Sequence, residues 1–160
     1  MKFDLVLREL HRSEGELAEV LLRLSDRHKA DHETYHVARD LAGWCHDHLR
    51  DLAEAARDHG LDLDPEPPAD PGAVEEDLER AGAWLGPDPG PGLVLLADLR
   101  HLYRVASGVS LDWELLAQAA QGARRADLLE LAERCHPQTL RQLRWANARL
   151  KESATQPLVS

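Results

Sequence analysis

The chain has 160 residues, 43% of them apolar and 30% charged, with a formal charge of -10. That length suits one domain spanning residues 1–160, and no apolar run approaches the roughly 18 residues of a membrane span, so no membrane partner is expected. Nineteen Lys and Arg scattered among 29 Asp and Glu form no concentrated basic face, which argues against a nucleic-acid partner.

The opening run from Met1 to Leu5 lacks the basic, apolar and small-residue segments of a secretory signal, so a cytoplasmic protein is expected. Cys45 and Cys135 are too few for a disulfide framework, and in a reducing compartment they are expected as thiols.

The first predicted helix covers about 3–28, with Phe3, Val6, Leu7, Leu10, Leu17, Leu21 and Leu24 on one face. Lys29, Ala30 and Asp31 form a turn in which Asp31 caps the second helix, predicted over 32–59. That helix carries Val37, Leu41, Trp44, Leu52 and Ala56 inward and closes at Gly60. The short turn makes the two helices antiparallel.

Residues 61–91 are rich in Pro, Gly and Asp and bracket a short amphipathic segment from Val74 to Leu85. This connection far exceeds what adjacent ends require, but it can cross the ~39 Å length of a 26-residue helix. One long crossover containing a short extra helix is therefore predicted. The third helix, 92–122, keeps Leu95, Leu99, Leu102, Val105, Val109, Trp113 and Leu116 on one stripe, with Ser107 and Gly108 a soft point inside it. The fourth, 127–152, turns Leu128, Ala132, Leu143 and Leu150 inward, and Pro137 in its interior predicts a kink. The fold class is all-α, an antiparallel four-helix bundle.

Glu33 to His36 and Glu133 to His136 both read Glu-x-x-His, the i, i+3 pair that di-iron carboxylate bundles project into their cores. Helical phase opposes them here. At ~100° per residue, His36 lies roughly 140° and Glu33 roughly 80° from the direction of Leu41, and Glu133 points away from its helix's apolar stripe while His136 points in. His32, His36 and His46 form an outward imidazole face. Imidazoles at i and i+4 bind zinc or nickel weakly, although a solvated polar face is the commoner use of such a pattern.

The inward polar residues are more telling. Glu14 interrupts the first helix's stripe, Cys45 and His48 lie within the second's, Asp98 within the third's, and Cys135, His136, Thr139 and Gln142 within the fourth's. Estimated heights bring Glu14, Cys45, His48, Cys135 and His136 together near mid-bundle and leave Asp98 about two turns nearer one end. A desolvated carboxylate or imidazole must be paired, protonated or metal-bound. Two outcomes stand open: a hydrogen-bonded network such as Glu14 to His48, or a transition-metal site, with iron or manganese favoured by carboxylates and zinc by thiolate plus imidazole. Redox chemistry of the two cysteines is a further alternative.

The layout and the run from His48 to Gly60 resemble the ferritin-like superfamily, whose second helix often carries a metal histidine about three turns before a closing glycine. The resemblance covers most of the chain through layout and periodicity. It implies Glu14 as first-helix carboxylate, with His48 and His136 as second- and fourth-helix histidines. Cys45 stands where a bridging glutamate is expected, and Asp98 is at the wrong height, so the implied di-iron set is incomplete. The ending from Arg141 to Gln156 also resembles Arg- and Ala-rich actinobacterial proteins, which implies no function.

The expected function is a non-catalytic interaction or structural role, with self-association or a protein partner suggested by Trp84 and Trp145 lying off the core stripes. The alternatives are a metal-binding protein, and a small-molecule binder using a pocket lined by Cys45, His48, Thr139 and Gln142.

Overall fold

The computed structural model describes residues 2–160. All regular structure among them is helical: α1 Phe3–Arg27, α2 His32–Arg57, α3 Pro71–Gly82, a 3-10 turn Ala83–Leu85, α4 Pro91–Gly122 and α5 Ala126–Val159. The last helix runs seven residues beyond its predicted end at 152. None of the helices is long and apolar enough to cross a membrane.

Local chemistry sets the boundaries. Asp31 caps α2 by accepting the Thr34 N–H at 3.0 Å. Gly60, at φ 73°, lets the chain reverse so that the Leu61 N–H reaches the Ala56 carbonyl at 2.9 Å, which closes the helix end. Asp70 caps α3 ahead of Pro71, and Gly90 precedes Pro91 at the first turn of α4. Ser107 and Gly108 lie inside an unbroken α4, and α5 continues through Pro137. The proline lacks the N–H that would serve the Glu133 carbonyl, and both residues are exposed.

The order of the ends follows from contacts. Asp98 near the start of α4 meets Arg27 and His28 at the end of α1, whereas His59, just beyond α2, meets Asp127 at the start of α5 and stacks near Phe3. Residues 58–90 thus travel from one end of the helices to the other. They follow α1 in register: the His11 ring donates to the Asp64 carbonyl at 2.7 Å, Pro67 lies beside Gly15, and Glu75 pairs with Arg23 and Arg27. Leu61, Leu63, Val74 and Leu78 bury this crossover into the common core.

That core is one cluster in which Leu7, Leu10, Leu17, Leu21, Leu24, Leu52, Leu99, Leu102, Leu116 and Leu128 are fully enclosed. Each such leucine is worth ~2–5 kcal/mol against truncation to alanine. Trp113 is its largest buried side chain. Trp84 is exposed as its position off the stripes predicts, but Trp145 is half-buried and packs on the core, because α5 also rests its flank there.

Candidate functional site

Four polar side chains, one from each long helix, meet in the core. Glu14 lies between Leu10 and Leu17 on α1, His48 between Cys45 and Leu52 on α2, and Trp113 between Val109 and Leu116 on α4, so the i, i+3/i+4 spacing of their apolar neighbours carries all three inward. Exposure is 0% for Glu14, 1% for His48 and 0% for Trp113. Glu14 Oε1 accepts hydrogen bonds from His48 Nδ1 at 2.9 Å and from Trp113 Nε1 at 2.8 Å. The other ring nitrogen, His48 Nε2, lies 2.7 Å from Gln138 Oε1 of α5. The imidazole also stands edge-on to the Trp113 ring, with centroids 5.9 Å apart.

Flanked by a carboxylate on Nδ1 and an amide oxygen on Nε2, His48 has an acceptor for each nitrogen, the environment of an imidazolium. Burial opposes the charge. The Glu14 hydrogen bond and charge, helped by Gln138 and Asp51, outweigh burial and hold the His48 pKa above its ordinary value. A buried ion pair whose members also reach Trp113 and Gln138 is satisfied at three of its positions. The fourth, Glu14 Oε2, has no hydrogen-bond partner among the described residues.

The two cysteines flank this network as buried free thiols. Cys45 Sγ accepts from Gln142 Nε2 at 3.3 Å, and that amide also donates to the Leu41 carbonyl at 2.9 Å. Burial first, and the Glu14 charge second, push the Cys45 thiol well above its usual range. Burial and the charges of Asp51 and Glu14 push Cys135 up to about 12. In the absence of a metal, both shifts favour the thiol over the thiolate.

Of the five residues predicted to converge, the structure joins Glu14 directly to His48 and sets Cys45 and Cys135 nearby. His136 is turned aside: its Nε2 shares a 2.8 Å hydrogen bond with Ser110 Oγ of α4, and the ring is half-buried. Thr139 and Gln142 are buried as predicted. Asp98 sits at the far end, accepting from Arg27 Nε at 2.9 Å and lying 2.6 Å from His28 Nε2. Glu33 and Glu133 are exposed. His32 and His36 are exposed as well, but His46 is half-buried rather than fully outward.

Gln138 and the indole N–H of Trp113 are the members that sequence reasoning missed. Trp113 reads as an apolar core residue, and nothing in helical phase says that its N–H will face a carboxylate. Gln138 lies one residue from the inward Thr139, at the edge of the stripe.

A pocket of about 370 Å³ opens at the seam between α2 and α5, with His48, Gln138 and Cys135 at its wall and Asp47, Arg50, Asp51 and Arg134 around it. Of the residues expected to line a ligand pocket, only His48 does. A larger groove of about 600 Å³ runs between α1, α2 and the crossover, lined by Ala18, Leu49, Pro67 and Val74 together with His11, Glu19 and His46; no sequence motif marks it. Among the described residues, no three His, Cys, Asp or Glu side chains converge as a metal cage. Both His48 nitrogens and the His136 Nε2 are engaged in hydrogen bonds, whereas Glu14 Oε2 has no partner among the described residues. No protein-family model, no curated protein and no solved structure matches the chain.

Proposed function

We propose that the protein is a non-catalytic helical scaffold of ferritin-like topology, a four-helix bundle with one long crossover, in which the core network fixes helix register and the outer surface engages a second copy or a protein partner. The observation carrying this reading is that Glu14, His48, Trp113 and Gln138 come from four different helices and bind one another at 2.7–2.9 Å. A buried polar chain of this kind penalises any slip of one helix past its neighbour, because a slip leaves desolvated groups unpaired. Leu111 and Leu115, each 59% exposed one turn apart on α4, and Trp84, 60% exposed, support an interaction surface.

One observation favours a second reading, a metal-binding protein: the buried Glu14 Oε2 has no hydrogen-bond partner among the described residues. Metal content by plasma mass spectrometry, on untagged protein after gel filtration, separates the two. Less than about a tenth of an equivalent of iron, manganese or zinc supports the scaffold. About one equivalent, lost in His48→Ala, overturns it in favour of a metal centre. Sedimentation equilibrium tests the surface role, and a monomer at every concentration counts against self-association.

A further inference from the structure

Of the nine histidines, His11, His28, His48, His59 and His136 have hydrogen-bond partners, whereas His32, His36, His46 and His101 have none among the described residues. Of these four, His46 and His101 are half-buried, and His32 and His36 stand exposed on the first two turns of α2. They are four residues apart, and their ring centroids lie 4.4 Å from each other with the planes at 61°. Side chains on a helix lean toward its N-terminus, so the His36 ring projects over the turn that holds His32. Imidazoles at i and i+4 on one helix can serve together as two nitrogen donors to one ion.

We propose that His32 and His36 constitute a surface site for a divalent transition-metal ion of the nickel or zinc class, independent of the core network. The surroundings bear on it from three helices. The helix N-terminus is electropositive and opposes a cation there, and Asp31 and Glu33 beside His32 are themselves paired with Arg149, but Asp40 lies one turn beyond His36 with no cationic partner among the described residues. Two nearby arginines are occupied, while Lys29 in the preceding turn has no ion-pair partner among the described residues. Arg149 of α5 is held by Asp31, Glu33 and Glu152 at 2.6, 2.9 and 3.0 Å. Arg39 lies over the Tyr35 ring, 5.5 Å from its centroid, and 3.7 Å from Asp26 of α1. Water and exposed carboxylates complete the coordination sphere, since two nitrogens fill only part of it.

Calorimetric titration of untagged full-length protein with Ni²⁺ alone, repeated with Zn²⁺, tests the site against His32→Ala and His36→Ala. Both residues are exposed and unbonded, so both variants are expected to fold, which thermal unfolding checks. The expected result is one ion per chain, bound at least tenfold more weakly by each variant, with Ni²⁺ tighter than or comparable to Zn²⁺. A His48→Gln variant retains the affinity if the site is independent of the core. Affinity changing less than threefold in both surface variants, or no saturable binding by the wild type, overturns the proposal.

Discussion

Glu14 and His48 lie 34 residues apart in sequence and meet at 2.9 Å in a core where neither is more than 1% exposed. Removing one member of such a pair strands the other as an unpaired buried charge, which typically costs ~3–5 kcal/mol. Glu14→Ala and His48→Ala are each expected to lose stability of that order in urea unfolding. The double variant is expected to lose less than the sum, by at least about 1 kcal/mol, because the stranded charge is gone. Strict additivity would show that the pair is not coupled.

The same pair sets a pH dependence. The folded-state pKa of His48 is raised, with burial opposing and the Glu14 hydrogen bond and charge dominating. Its contribution to stability is therefore fully present below the unfolded histidine value of about 6.5 and is lost as pH rises through the higher folded value. His101 has the opposite sign: burial lowers its pKa, so its contribution is lost as pH falls. The difference between wild type and His48→Gln removes His101 and isolates the pair. That difference is expected to shrink between pH 6.5 and the mildly alkaline range. A difference that is flat across this window would mean that His48 stays in one protonation state throughout.

Helical phase made the buried positions of Glu14, His48 and Asp98 legible, because each interrupts an apolar stripe of known spacing, and the long connection made the crossover legible by its length alone. Phase assigns a face and not a partner. It therefore brings His136 inward but cannot tell that Ser110 of α4 captures the ring at the edge of that face. The extension of α5 to Val159 has a similar origin. Glu152 to Gln156 show no apolar period, yet Pro157 packs against Gly92 of α4, where a β-carbon would lie 3.1 Å from the proline ring. A tertiary contact, absent from local pattern, holds those last turns.

Thiol reactivity should follow burial. With its pKa at about 12, Cys135 has about 10⁻⁴ of its thiol ionised at pH 8, against roughly a quarter for a free cysteine. Native protein mixed with a disulfide reagent at pH 8 is expected to show neither thiol on the timescale in which urea-unfolded protein shows two. Cys135, which lines the seam pocket, is expected to react before the fully enclosed Cys45. Fast labelling of either in the native state would place a thiolate near neutral pH and reopen redox or nucleophilic chemistry.

The charged cluster at the opposite end tests how the crossover is held. Asp98, with a side chain only 2% exposed, accepts from Arg27 and faces His28, and Arg27 in turn reaches Glu75 of α3 at 2.7 Å. Asp98→Ala removes the buried acceptor of Arg27 Nε and the partner of His28 Nε2 while Arg27 keeps Glu75, and is expected to cost ~1–3 kcal/mol globally. Glu75, about a third exposed in its side chain, forms a screened pair, so Glu75→Gln is expected to cost ~1 kcal/mol or less. Its effect should be local: α3 is tied to α1 through Glu75 and buries only Val74 and Leu78. Amide exchange is therefore expected to accelerate in 71–82 while α1 and α4 keep their protection. Uniform acceleration across all helices would show that the crossover unfolds only together with the core.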